Sequence, residues 1–213
     1  MEMIKDIHWL GHDTFRIQSG GKILYTDPFR IGKTGQDKKA DLILITHEHY
    51  DHCSPEDVGK IAKDGTVVIC PAGCADKFRE KMKTMAVKPG DRMELAGVGI
   101  EAVPAYNTNK KFHPRENQWV GYIFSIEGKR IYIAGDTDYI PEMRGFKADI
   151  ALLPVSGTYV MTAEEAARAA LDMNPGIAIP MHYGSIVGDR EDAVRFKNLL
   201  EGKVSVIILD REE

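Results

Sequence analysis

The stretch Thr46–His52, which reads Thr-His-Glu-His-Tyr-Asp-His, decides the fold. Four of its side chains can bind a metal: His47, His49, Asp51 and His52. The mostly apolar run Asp41–Ile45 precedes it and is typical of a buried strand. Ser54–Asp57 follows it and is typical of a helix start. The potential ligands therefore lie on the loop at the carboxyl end of a strand, where open α/β sheets bind their ligands.

The chemistry of this cluster favours a metal site over a polar surface loop that happens to be rich in histidine. Imidazole and carboxylate groups suit zinc, manganese or iron, and the absence of thiolate argues against a closed structural zinc site. In extended backbone His47 and His49 point to the same side. The cluster alone supplies too few ligands for a pair of metals. A metal site therefore predicts further ligands later in the chain, also at strand ends.

Length and composition are those of an ordinary globular protein. The 213 residues fit a single domain, 1–213, with a substantial core. A net charge of −4 gives no electrostatic signature of a nucleic-acid partner, and no apolar run approaches the roughly 20 residues of a membrane span. The odd number of cysteines and the polar N-terminus predict a reducing cytoplasmic location. Core packing is expected for Cys70 and Cys74, whereas Cys53 directly follows His52 and is not expected to bind the metal.

Hydrophobic periodicity predicts alternating strands and helices in the first half of the chain. An antiparallel meander of three strands comes first: Ile4–Leu10, Thr14–Gln18 and Ile23–Thr26. A loop continues to Lys39, and the strand that carries the ligands spans 41–46. The next elements are a helix at Pro55–Ala62, a strand at Thr66–Cys70 and an amphipathic helix at Ala72–Lys81.

The second half also starts with antiparallel strands and ends in alternating strands and helices. The predicted strands are Thr84–Val87, Arg92–Leu95, Val98–Ala105, Trp119–Ile126, Arg130–Ala134, Ile150–Leu153, Ile177–Ile179 and Val204–Leu209. The predicted helices are Thr162–Leu171, with Thr162 and Glu165 as a capping box, and Asp189–Leu200. Tyr106–Gln118 is a long polar loop, of a kind that is usually functional or disordered. The two halves predict two sheets packed face to face with helices outside.

Two later positions supply the further ligands that the cluster requires. Asp136 follows the strand Ile131–Ala134 directly after a glycine, and His182 follows the strand segment Ile177–Met181. Taken alone, such an aspartate is usually a turn or cap residue, and such a histidine is usually structural. Together with the cluster, the ordered set of histidine-rich loop, aspartate and histidine is much more specific.

This ordered set resembles the metallo-β-lactamase superfamily. The chain carries in order Asp27-Pro28, His47-x-His49-x-Asp51-His52, Gly135-Asp136-Thr137 and Pro180–Gly184. The short members of that superfamily related to L-ascorbate-6-phosphate lactonase also match at Trp9–His12, Leu152–Val155 and Thr158–Thr162. The resemblance spans essentially the whole chain. It implies an α/β fold, a four-layer αββα sandwich of the metallo-β-lactamase type with the metal site between the sheet edges.

The resemblance also implies a role for each ligand. It assigns His47 and His49 to a first metal, and Asp51, His52 and His182 to a second, with Asp136 bridging both. Asp27 matches an acid that orients the cluster loop.

The chain departs from the family pattern at one position. Where relatives carry another histidine after a Pro-Ala pair, Pro104–Asn107 ends in Asn107. Asn107 would ligate weakly through its amide oxygen, or His113 would reach in from the long loop, or a single metal would bind. His12 is open between a pocket residue and a structural one.

The expected function is metal-dependent hydrolysis of an ester, lactone or phosphoester bond in a small anionic substrate. One or two divalent ions are expected, with zinc favoured over manganese or iron, and Asp51 or Asp136 would take the proton of the attacking water. Predicted substrate contacts are Lys111, Arg115 and Tyr183, with Lys110 and His113 on the same loop. The basic loop residues are alternatively a solvated charged stretch.

Two other functions remain open from the sequence. Histidine and carboxylate ligands also suit an iron-dependent dioxygenase acting on a thiol substrate. Asn107, standing where a ligand is expected, also allows a non-catalytic metal-binding protein. Neither a nucleic acid nor a membrane is an expected partner, and a homo-oligomer is left open.

Overall fold

The computed structural model describes residues 6–212, with Thr34 described by its backbone only. The start of the first predicted strand, at Ile4, lies outside these residues. The chain forms two compact units. The first unit runs to Lys88 and also includes the chain from Asp210, and the second unit is Pro89–Leu209. One domain over 1–213 stays a prediction.

The first unit is built on a six-stranded sheet whose strand order follows the chain. Its strands are β1 (Ile7–Gly11), β2 (Thr14–Ser19), β3 (Lys22–Thr26), β4 (Leu42–Leu44), β5 (Val67–Pro71) and β6 (Lys83–Val87). The predicted meander is confirmed, because β1, β2 and β3 pair antiparallel. From β3 onward all neighbours are parallel. Its helices are α1 (Lys33–Gln36), α2 (Pro55–Ile61) and α3 (Ala72–Ala75).

Two predictions for the helices of this unit were wrong. α1 lies in the segment that was predicted to be a loop as far as Lys39. α3 ends at Ala75 instead of Lys81, and turns follow it, closed by bonds such as that from Phe78 N to Ala75 O at 3.0 Å. Successive turns give side chains nearly the same periodicity as a helix. Ala75 and Phe78 therefore reach the core, and the apolar pattern did not distinguish the two structures.

The core of the first unit lies between its sheet and its helices. It contains Ile43 of β4, Val68 of β5 and Val58 of α2, and all three are fully buried. The three cysteines are free and buried in this same core, which confirms the packing role predicted for Cys70 and Cys74. Cys53, next to His52 in the sequence, is among them. The ligand loop therefore follows a strand whose three residues are all buried.

The second unit is built on a seven-stranded sheet with the order β13-β12-β11-β10-β9-β8-β7. Its strands are β7 (Arg92–Leu95), β8 (Val98–Pro104), β9 (Val120–Ile126), β10 (Lys129–Ile133), β11 (Ile150–Pro154), β12 (Ile177–Met181) and β13 (Ser205–Val206). β7 to β10 pair antiparallel, and β10 to β13 pair parallel. β13 is shorter than the predicted strand Val204–Leu209. Beyond Val206, the backbone N–H of Ile207 still donates to Ala178 O at 3.0 Å, but the strand does not continue.

The second unit also contains two α-helices, α4 (Ala163–Met173) and α5 (Arg190–Leu199), and two short 3-10 helices, Arg115–Asn117 and Pro141–Gly145. The predicted capping box of Thr162 and Glu165 is confirmed, as is the cap at Asp189. Among the residues described, no helix combines the length and apolar character that crossing a membrane requires.

The ends of the parallel strands carry the predicted ligands in both units. β4 ends at Leu44, three residues before His47, and β10 and β12 end shortly before Asp136 and His182. β10, β11 and β12 are parallel neighbours, so their carboxyl ends share one edge of the sheet. On β9, a Cβ at Gly121 would lie 2.7 Å from the Ile133 carbonyl oxygen. Glycine there allows the end of β10 to pack closely before the chain turns to Asp136.

Asp57 fixes the loop after β3 to α2. Its carboxylate accepts from the backbone N–H groups of Arg30 and Ile31, both at 3.0 Å, from Ser54 Oγ at 2.8 Å and from Lys60 Nζ at 2.9 Å. Burial raises the pKa of Asp57, but the hydrogen bonds, led by that from Lys60, outweigh burial and set the pKa below its ordinary value. The ionised form therefore stabilises the folded state.

We predict that Asp57→Ala lowers the free energy of unfolding by roughly 1–3 kcal/mol at pH 7, because buried N–H groups lose their acceptor. The loss should be full above pH about 4 and shrink as the pH falls below it, since protonation then weakens the wild type. Urea unfolding at pH 7 and at pH 3.5 measures both effects. Asp76→Ala, at an exposed acid paired with Arg79, is the control and should change little. An equal loss at both pH values would contradict the prediction.

Candidate metal centre

In the first unit the loop after β4 gathers three imidazoles. Ile45 N still bonds to Ile69 O of β5 at 2.9 Å, so the loop starts from a fixed strand end. A turn then closes as the backbone N–H of His52 donates to His49 O at 3.1 Å. His47 Nε2 lies 3.0 Å from His49 Nδ1, and the rings of His47 and His52 are 4.0 Å apart between centroids. The structure thus places together the three histidines that the sequence singled out.

Asp27 orients two of these imidazoles, His52 directly and His47 through Thr46. Its carboxylate accepts from Thr46 N at 2.7 Å, from Thr46 Oγ1 at 2.6 Å and from His52 Nδ1 at 2.8 Å. Because the Thr46 hydroxyl gives its hydrogen to Asp27, it accepts the one on His47 Nδ1, 3.0 Å away. Both His47 and His52 therefore carry the proton on Nδ1 and present an Nε2 lone pair. This is the tautomer that binds a metal through Nε2.

The surroundings of Asp27 favour an orienting role over ligation. One donor atom from each of Asp27, His47 and His52 lies within 4.8 Å of the other two, so the carboxylate is near enough to join a metal. Both its oxygens, however, already accept hydrogen bonds from the cluster loop. Burial raises the pKa of Asp27, and the nearby His52 and the bonds from His52 and Thr46 oppose that rise.

His12 and Asp51 extend the cluster of the first unit. His12 Nε2 lies 3.2 Å from Asp51 Oδ2, and His52 Nε2 lies 3.8 Å from the same oxygen. His12 is buried, and its carbonyl accepts from Trp9 Nε1 at 2.9 Å. The sequence left His12 open between a pocket role and a structural one, and the structure places it against a predicted ligand.

Asp13 is a site residue that sequence reasoning missed. It is fully buried, and its carboxylate lies 4.0 Å from His52 Nδ1. In the sequence it belongs to the Gly11–Asp13 turn between two strands, where an aspartate is common. The one signal in the sequence was the position of Asp13 next to His12. The burial of Asp13 depends on tertiary packing, which the sequence does not show.

In the second unit Asp136 lies between two imidazoles. Its Oδ2 is 3.1 Å from His113 Nε2, and its Oδ1 is 3.2 Å from His182 Nε2. All three side chains are buried. The contact confirms that the ends of β10 and β12 lie close together, and it adds a histidine from the long loop.

His182 is held at the end of β12 by β11 and its loop. Val155 N donates to Met181 O at 3.2 Å, and Ser156 Oγ lies 3.0 Å from His182 Nδ1. Ser156 was not among the predicted site residues. His182 has a φ of +59°, and Asp27 and His12 in the first unit have +36° and +51°. Non-glycine residues rarely adopt this left-handed region, and such strain concentrates at functional sites.

The hydrogen bonds of the long loop bear on the question that Asn107 raised. Asn107 Oδ1 accepts from the backbone N–H of His113 at 3.0 Å and lies 3.0 Å from His113 Nδ1. Its amide oxygen is thus directed to His113, which does not favour Asn107 as a ligand. The alternative, that His113 reaches in from the loop, agrees with its contact to Asp136.

The predicted substrate contacts differ in their exposure and in whether an acid neutralises them. Arg115 is paired with Glu142 at 3.0 Å and lies over the Tyr106 ring, 4.9 Å from its centroid. Lys110 is paired with Asp138 at 2.5 Å. Lys111 is exposed, and Tyr183 is buried. Two of the loop cations are thus balanced within the protein, and Lys111 is the one best presented to an anion.

The donors of each unit fit a divalent metal. Two ligands at 2.0–2.1 Å from a tetrahedral zinc are about 3.3 Å apart. The close pairs His47–His49, His113–Asp136 and His182–Asp136 have donor atoms 3.0–3.2 Å apart. Lone pairs at that distance repel one another unless a cation or a proton lies between them. The nitrogen and oxygen donors suit zinc, manganese or iron.

Known proteins are similar to this chain in sequence and in fold. The model of the beta-lactamase superfamily domain matches residues 6–182. UPF0173 metal-dependent hydrolases of Thermoplasma volcanium and Pyrococcus abyssi are 34% and 36% identical, and each match covers 97% of this chain and 96% of the relative.

Solved structures agree with these sequence relatives. A protein from Parabacteroides distasonis described as a metal-dependent hydrolase is 36% identical, with a TM-score of 0.86 over 97% of this chain and 93% of its own. The metallo hydrolase Igni18 of Ignicoccus hospitalis is 26% identical, with a TM-score of 0.81 over 97% of this chain and 95% of its own. These likenesses confirm the predicted metallo-β-lactamase type of fold. The chain belongs to the beta-lactamase superfamily and, within it, to the UPF0173 metal-dependent hydrolases.

Proposed function

We propose that this chain hydrolyses an ester, lactone or phosphoester bond in a small anionic substrate with a metal-activated water. The observation that carries the proposal is Asp136, whose two carboxylate oxygens each face a different imidazole at 3.1 and 3.2 Å. A carboxylate that offers one oxygen to each of two ligand groups suits a bridging position in a two-metal site. Family membership supports the same activity.

The proposed ligands are those that the family resemblance implies, with His113 added. His47, His49 and His113 would hold the first metal, and Asp51, His52 and His182 the second, with Asp136 shared. His113 replaces the histidine that the chain lacks at position 107, so the ligand set is full without Asn107. A bound divalent ion supplies a water that ionises near neutral pH and polarises the scissile bond.

Asp51 is better suited than Asp136 to accept the proton of the attacking water. The Asp136 side chain is 4% exposed and is flanked by imidazoles on both sides. The Asp51 side chain is 14% exposed, and His12 contacts one of its oxygens at 3.2 Å. His12 would hold this carboxylate in one orientation, and the other oxygen would be open to the water. General bases must lie within hydrogen-bond reach of the proton that they remove.

An anionic group on the substrate would bind Lys111, which is exposed, whereas Arg115 is exposed but paired with Glu142. The sequence likeness to proteins related to L-ascorbate-6-phosphate lactonase makes phosphorylated sugar lactones the first substrates to test. Tyr183 follows a proposed ligand directly, so it would line the same pocket.

We predict that Asp136→Ala reduces bound metal by at least half and hydrolysis by at least 100-fold, because a shared ligand is lost. Elemental analysis after dialysis measures the metal, and assays on nitrophenyl esters, nitrophenyl phosphodiesters and phosphorylated lactones measure activity. Lys129→Ala, in an exposed hairpin, is the control and should match the wild type. Full metal content and undiminished activity in Asp136→Ala would reject the proposal.

Chelation should abolish hydrolysis, and adding back one metal at a time should restore it. We expect zinc or manganese to restore hydrolysis, because oxygen and nitrogen donors without thiolate suit both ions. Protein purified without added metal should contain the ion that restores the highest rate. Iron with oxygen consumption and no hydrolysis would replace the proposal with a dioxygenase. Bound metal with no turnover on the whole panel would replace it with a non-catalytic metal-binding protein.

A further inference from the structure

Asn107 lies in the middle of a hydrogen-bonded chain of buried side chains within the second unit. Its Nδ2 donates to Asp138 Oδ1 at 3.1 Å, and its Oδ1 lies 3.0 Å from His113 Nδ1. His113 Nε2 in turn lies 3.1 Å from Asp136. All four side chains are buried, with Asn107 the most exposed at 8%. This series of contacts thus links two buried acids, Asp138 and Asp136, through the amide of Asn107 and the imidazole of His113.

The partners of Asn107 fix the direction of its amide. Nδ2 faces Asp138 and the carbonyl oxygen of Tyr159, at 3.1 and 2.9 Å, and both of these groups only accept. The oxygen must therefore be the atom that faces His113, where it accepts from the backbone N–H at 3.0 Å. An oxygen at 3.0 Å from His113 Nδ1 requires a proton on that nitrogen. In the neutral imidazole His113 Nε2 then carries the lone pair, on the side that faces Asp136.

Asp138 connects this series of hydrogen bonds to the segment after β10 that carries Asp136. Its backbone N–H donates to Tyr106 O at 3.0 Å, and its carboxylate accepts from Thr108 N at 2.7 Å and Lys110 Nζ at 2.5 Å. Asp138 is two residues after Asp136 in the sequence. The loop that carries His113 is therefore tied to the segment that carries its contact partner.

This geometry distinguishes two roles for Asn107. As a ligand it would turn its oxygen to the metal and give up both bonds to His113, which would leave two buried N–H donors without their acceptor. Such a loss costs roughly 1–3 kcal/mol for each donor. As a partner of His113 it keeps every bond that the structure shows.

We propose that Asn107 is a positioning residue, which Asp138 orients and which fixes the proton and the ring direction of His113 for metal binding. The inference rests on the proposed function, since it needs His113 to be a ligand. It explains how a chain with asparagine at the family's histidine position completes its ligand set. Partners of this kind typically change metal affinity by roughly 10- to 100-fold.

The test compares two variants that separate the acceptor from the rest of the side chain. Asn107→Asp keeps an oxygen for His113 Nδ1 but loses both donated bonds and sets a second acid beside Asp138. Asn107→Leu has similar volume and loses every bond. Zinc affinity is measured by competition with a chromogenic chelator, and the stability of the metal-free protein by thermal unfolding. Asn109→Ala, an exposed asparagine on the same loop, is the matched control.

We expect zinc affinity to fall roughly 10- to 100-fold in Asn107→Leu and to stay within about threefold of the wild type in Asn107→Asp. Both variants should unfold at a lower temperature than Asn109→Ala. If affinity instead falls in both variants in proportion to lost stability, Asn107 is only structural and the inference is overturned. Unchanged affinity in Asn107→Leu also overturns it.

His113→Ala separates failure of this inference from failure of the proposed function. If His113→Ala loses zinc affinity while Asn107→Leu does not, the ligand set stands and only the positioning role is wrong. If His113→Ala binds zinc as tightly as the wild type, His113 is not a ligand. In that case the ligand set of the proposed function fails together with the inference.

Discussion

The hydrogen bonds that Asp27 accepts from Thr46 and His52 hold the histidine loop in its conformation. Burying a carboxylate costs several kcal/mol unless donors replace its water. Three donors at 2.6–2.8 Å do so here, and each belongs to the loop that follows β4. The acid therefore stays buried only while the loop keeps its shape. That dependence sets the tautomers of His47 and His52 before any metal binds.

In the second unit a buried acid also orients a histidine, but it does so through an amide. Asp138 is also fully buried, but it reaches His113 through the neutral amide of Asn107 rather than directly. A carboxylate partner raises the basicity of a ligating imidazole more than an amide does. The left-handed backbone at Asp27 and His182 shows that both units also place side chains by backbone strain.

The charged loop after β8 shows why composition alone misleads about substrate binding. Lys110 and Arg115 both lie near the predicted site in sequence, but each has an acidic partner, Asp138 and Glu142. The sequence shows the cations of this stretch but not the acids that pair with them in the fold. With those two cations paired, an anionic substrate of the proposed kind would depend mainly on Lys111.

The sequence by itself determined the order of strands and ligands, because a strand followed by histidine or aspartate is a local pattern. It also determined the capping box at Thr162, since both partners lie within one helical turn. The tertiary structure decided which residue of the long loop faces Asp136, that His12 meets Asp51, and that Asp13 is buried. These facts depend on hydrogen bonds between residues some 25 to 40 positions apart in the chain, such as Asn107 to Asp138 and His12 to Asp51. Spacing along the chain does not specify such bonds.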